Sequence, residues 1–118
     1  MSFWRKEVVD IALSDETRRQ MAEQRDWIER EPANPRPYYH LAQFCRMEGR
    51  EDHALGLLLE AVRLDAGFAE AHTSLAEIYA IRADYAAAWR HARAAEDAGN
   101  RTAAAMLLRH GIAGPEDR

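Results

Sequence analysis

Residues 34–65, NPRPYYHLAQFCRMEGREDHALGLLLEAVRLD, decide how the rest of the chain is read. Asn34 followed by Pro35 marks a helix start. The Asn side chain can accept a backbone N–H bond, and proline at the first helical position forfeits no intrahelical bond. The helix that begins there runs to about Gly49, and a second covers about Glu51 to Leu64 before Asp65-Ala66-Gly67 stops it. So short a connection forces the two helices antiparallel, as a hairpin.

The same grammar recurs on the C-terminal side. A helix is predicted over 69–81, Asp84 caps another that runs to about Ala98, and Gly99-Asn100 breaks the chain before a last helix over 102–110. On the N-terminal side one helix is predicted over 3–13 and a second over 15–30, with Ser14 or Asp15 as its cap and Pro32 as its stop. Residues 111–118, with Gly114-Pro115-Glu116-Asp117, read as a frayed tail. Ala, Leu, Glu and Arg dominate and strand signals are nearly absent, so the chain is all-α, with six or seven helices. Its 118 residues suffice for one domain with a core and not for two.

The hairpins repeat. Shifted by 34 residues, Leu41-Ala42 falls on Leu75-Ala76, Ala54 on Ala88 and Ala61 on Ala95. The Leu-Ala pair lies midway along the first helix of each hairpin, and the two alanines lie seven residues apart on the second. Small residues on successive turns of one face let helix backbones approach closely, as stacked hairpins require. In these features the chain resembles the tetratricopeptide repeat family, in its small bacterial form. Tyr38, Leu41-Ala42, Gly49, Ala54, Leu58, Ala61 and Leu64-Asp65 match the family pattern in a first repeat. Leu75-Ala76, Tyr79, Asp84-Tyr85, Ala88 and Ala95 match it in a second. The chain departs from the pattern at Cys45, where an aromatic is usual, and at Ala66 and Asn100, which replace the closing proline. His72 takes the place of a Trp or Tyr, and Ala92 that of a large residue.

The resemblance implies an α-solenoid of antiparallel helix hairpins, about two full repeats plus flanking helices. Its parts are an N-terminal helix (1–14), a degenerate half repeat (15–34), repeats at 35–68 and 69–102, a capping helix (103–111) and a flexible tail (112–118). Such an array is held by nearest-neighbour packing, so its ends need covers. Met21, Trp27 and Ile28 are the expected lid at the front, and Met106, Leu107 and Leu108 at the back. The second helix of the second repeat is rich in alanine, with Ala86, Ala87, Ala88, Ala92, Ala94 and Ala95, so the C-terminal end is expected to open first.

Composition narrows the function. A formal charge of -4 with finely mixed acids and bases speaks against nucleic acid as the main partner. No run approaches the ~20 apolar residues of a membrane span, and the first residues lack a signal-peptide pattern, so a cytoplasmic location is expected. Cys45 is the only cysteine and sits among apolar neighbours, as a buried, inert thiol would. The six glycines are too scattered for a phosphate loop. The five histidines (His40, His53, His72, His91 and His110) never fall three or four apart on one helix, as a helical metal site would need. No catalytic residue, metal or cofactor is expected, and the chain reads as a binding protein.

The resemblance also implies where binding would occur. In the family the first helices of successive hairpins line a concave face. On this chain the matching positions are Arg36, Tyr39, His40, Gln43, Arg46 and Met47 in the first repeat. In the second they are Glu70, Thr73, Ser74, Glu77, Ala80 and Ile81. The first half is basic with an aromatic, and the second is acidic and then apolar. A bound peptide or partner protein would set an acidic end against Arg36 and Arg46. Co-chaperones of the family grip a C-terminal carboxylate with Lys and Asn; His40, Gln43 and Ser74 stand here instead, which speaks against that clamp. The expected role is a scaffold or adaptor. Alternatives are a homo-oligomer (a homodimer, for example) joined through exposed end helices, and a dedicated chaperone or accessory subunit of an enzyme or secretion system. The stripe Phe3, Trp4, Val8, Ile11 and Ala12 is expected to fold back as core. The alternatives are an arm that fills the groove of a second copy, or a peripheral membrane contact, which having only Arg5 and Lys6 as basic residues disfavours.

Overall fold

A computed structural model of the protein describes residues 2–115, with side chains from Ser14 onward. Six helices follow one another: α1 (Ser2–Arg30), α2 (Pro35–Met47), α3 (Glu51–Leu64), α4 (Ala69–Ile81), α5 (Tyr85–Asp97) and α6 (Thr102–Arg109). No strand occurs among the described residues.

The expected break at Ser14 is absent, and α1 is continuous. Ser14 and Asp15 therefore do not cap a helix start. Asp15 pairs with Arg18 one turn on, while Glu16 pairs with Arg19 and accepts a 2.9 Å hydrogen bond from Gln20. These are interior-helix partners at i+3 and i+4. The side chains of the Phe3–Ala12 stripe lie outside the described residues.

Elsewhere the helix ends follow the chemistry of their residues. Asn34 Oδ1 accepts the Arg36 amide at 3.0 Å with Pro35 at the first helical position, and Asp84 accepts the Ala87 amide at 3.2 Å. At the C-termini of α2, α4, α5 and α6 one closure recurs. After α2, the Gly49 amide donates to the Arg46 carbonyl and the Arg50 amide to Cys45. After α4, Ala83 donates to Ala80 and Asp84 to Tyr79, each bond 34 residues further along. Each closure turns on one residue of positive φ: Gly49 (78°), Ala83 (62°), Gly99 (97°) and Gly111 (74°). The 34-residue period is therefore present in the backbone as well as in the Leu-Ala pairs.

Each helix packs on its neighbours in sequence, most closely α2 on α3 and α4 on α5, and α4 also meets α6. The paired residues at 34-residue spacing are the ones that disappear. Leu41, Ala42, Leu75, Ala76, Ala54, Ala61, Ala88 and Ala95 are all buried. One cluster gathers Met21, Leu41, Leu58, Phe68, Leu75 and Ile78 across α1 to α4. A second joins α4, α5 and α6 through Ala76, Ala88, Trp89, Ala92, Ala103, Ala104 and Leu107.

That second cluster differs from expectation. The alanine-rich α5 carries Trp89 into the core at 2% exposure, and its Nε1–H donates to the Ile112 carbonyl at 3.0 Å. Burying so large a side chain outweighs several alanines. The same bond docks the start of the supposed flexible tail, where Gly114 is also buried. The lids close in part: Met21 and Leu107 are buried, Trp27 and Ile28 are half-buried, and Leu108 is 58% exposed. No helix among the described residues is long and apolar enough to cross a membrane.

Candidate partner-binding cleft

The twelve positions picked out on α2 and α4 do not form one open surface. Several of them face each other. Gln43 Nε2 donates to Ser74 Oγ at 2.9 Å, and Arg46 pairs with Glu77 at 3.1 Å; both links join residues 31 apart on α2 and α4. Ser74 is buried at 5% exposure. Burial pushes the Tyr39 hydroxyl above its ordinary value, with Glu70 and Glu77 adding to the effect. Tyr39 packs against Phe68 and His40 at ring separations of 5.4 Å, and Arg36 lies over the Phe68 ring at 5.8 Å. These residues make a polar and aromatic seam between the two helices.

The seam changes what Arg46 can do. It is expected to await an acidic ligand, but Glu77 already supplies its carboxylate, with both side chains largely shielded. The remaining positions scatter. Glu70 is exposed, and the Thr73 hydroxyl donates to the Ala69 carbonyl of its own helix at 3.0 Å. Met47 is 74% exposed and faces a shallow cavity of about 440 Å³ beside Ser14, Thr17 and Arg18 of α1.

A cleft of about 420 Å³ opens at the C-terminal ends of α2, α4 and α6. Arg46, Glu77, Ala80 and Ile81 line it, so four of the twelve residues converge there. Tyr85 from α5 and Met106, Leu107, His110 and Ile112 from α6 and the following turn complete it. Ile81 is 68% exposed and Tyr85 45%, while Leu107 at the base is buried. Apolar walls therefore surround one internally neutralised ion pair. The α6 side falls in residues 103–111, expected only to cap the array, although Met106, Leu107 and His110 have helical spacing.

Cys45 is 4% exposed, and burial pushes its thiol up, away from the reactive thiolate. His72 and His91, 19 residues apart in sequence, touch across α4 and α5 with Nδ1 atoms 3.0 Å apart. Nothing in local spacing announces that contact. Among the described residues no three His, Cys, Asp or Glu side chains converge as a metal site. No protein-family model and no curated protein matches the chain in sequence.

Proposed function

We propose that this chain is a protein–protein interaction module of the tetratricopeptide kind, a cytoplasmic adaptor that binds a segment of another protein in the cleft between α2, α4 and α6. The exposed pair Ile81 and Tyr85 above the buried Leu107 carries this reading, because large apolar side chains left open beside a preformed hollow favour association. The 34-residue recurrence of Leu-Ala pairs, buried alanines and helix closures supports the repeat architecture. The occupant is an extended or helical peptide with a large apolar anchor. An acidic anchor is disfavoured, since Arg46 would have to give up Glu77 to receive it. A rigid wall of helix ends spares the ordering cost on one side and gives moderate affinity. The chain itself contributes no catalysis in this reading.

Selection of a displayed random-peptide library on the intact protein tests the proposal. Enriched peptides should share a bulky apolar residue and bind Ile81→Asp at least about tenfold more weakly, while binding a Leu59→Asp control normally. Peptides that bind Ile81→Asp as well as the parent protein would place the site elsewhere.

A further inference from the structure

His72 and His91 form a contact that neither the core nor the cleft requires. Their rings stack with centroids 5.3 Å apart, and Tyr79 stacks on His91 at 5.6 Å, nearly parallel. His72 is buried, and its Nε2 lies 2.8 Å from the Ala66 carbonyl in the turn between α3 and α4. A carbonyl only accepts, so His72 Nε2 carries its proton and Nδ1 of the neutral ring is a bare acceptor. His91 must then donate from Nδ1, across the 3.0 Å gap, which leaves its Nε2 free to take up a proton. One added proton therefore puts a charge on a ring largely withdrawn from water. A second has only His72 Nδ1 to occupy, where it meets the His91 N–H and breaks the contact.

Among the described residues, no acidic group acts on the His91 ring. Tyr79 is the titratable neighbour on α4, and Arg90 on α5 opposes a charged His91. In the α3–α4 turn, Asp65 spends its carboxylate on the Gly67 amide at 3.0 Å, and on α3 Glu60 and Arg63 satisfy each other. From α6 the core receives Ala103, Ala104 and Leu107. Burial first, then His72 and Arg90, holds the His91 ring down at about 4.

We infer that this pair is a proton-operated latch: neutral, it ties α5 to α4 and to the α3–α4 turn, and on acidification it releases the second hairpin. Opening returns His91 to water, where imidazole titrates near ~6.5. Between that value and about 4 the open form holds more protons than the closed one, so opening gains as pH falls through this window. Above pH ~7 the latch is indifferent to pH. His91 alone raises the opening equilibrium about 20-fold between pH 7 and pH 5. Because α4 and α5 supply Glu77, Ala80, Ile81 and Tyr85 to the cleft, an opened hairpin would also release a bound segment. That consequence rests on the function proposed above; the latch does not.

Amide hydrogen exchange on the intact chain at pH 7 and pH 5, corrected for intrinsic exchange, tests the latch without any ligand. Opening of α4 and α5 should rise about 20-fold relative to α2 and α3. His91→Gln keeps an N–H donor for His72 but takes up no proton, and it should abolish the rise. An equal change in both hairpins, or an undiminished response in His91→Gln, overturns the inference. Should the variant not fold, NMR titration of the parent protein decides. The His91 ring should titrate near 4, and titration in the ordinary imidazole range of ~6.5 is the contrary result.

Discussion

Ala83 holds a φ of 62°, a conformation that the equivalent closures assign to Gly49, Gly99 and Gly111. An L side chain in that region crowds the following carbonyl and costs ~1–2 kcal/mol, while glycine adds a smaller entropic cost in the unfolded chain. Ala83→Gly should therefore stabilise the protein by about 0.5–1 kcal/mol in urea denaturation, whereas Gly49→Ala should destabilise it. His91 acts in the opposite sense as conditions change. Its folded value of about 4 lies below the unfolded one, so its contribution is full above pH ~6.5 and is lost as pH falls toward 4. Solvent reaches part of the ring, which reduces the loss to about 2 kcal/mol, measurable as a falling urea midpoint between pH 7 and pH 4.5.

At the level of helices, what the sequence disclosed and what it hid have different causes. Asn34-Pro35 and Asp84 act through bonds to residues two or three positions away, so local chemistry sufficed to place them. Ser14-Asp15-Glu16 carries similar residue types, yet the helix formers around it carry α1 through it. A capping residue stabilises an end; it does not create one. The contacts that tie the helices together are non-local. Gln43–Ser74 and Arg46–Glu77 each span 31 residues, and His72–His91 joins two helices, so alternation along a single helix could not reveal them. The seam can be weighed directly. A double-mutant cycle on Arg46→Ala and Glu77→Ala should give a coupling of about 1 kcal/mol, above that of an exposed pair, because both groups are mostly shielded. Trp89→Ala, which removes the largest side chain of α5 and its bond to Ile112, should cost about 3–5 kcal/mol in the same assay and free the segment after α6.

The whole molecule is elongated. Its radius of gyration is 16.6 Å, against about 13–14 Å for a compact chain of this length, and its extents are 56 × 40 × 22 Å. A 29-residue α1, about 43 Å long, accounts for much of the long axis. In this shape the C-terminal ends of α2, α4 and α6 lie side by side, and the cleft forms between them. The sequence located α2 and α4 but assigned α6 to a lid, so it found one wall and part of another. The central claim is that a partner segment enters this cleft and seats an apolar residue beside Ile81 and Tyr85. Two-dimensional NMR of the intact protein, titrated with a peptide from the library selection, tests it most directly. The largest shift changes should fall on Arg46, Glu77, Ala80, Ile81, Tyr85 and His110; changes centred instead on Thr17, Arg18 and Met47, with the cleft signals unmoved, would contradict it.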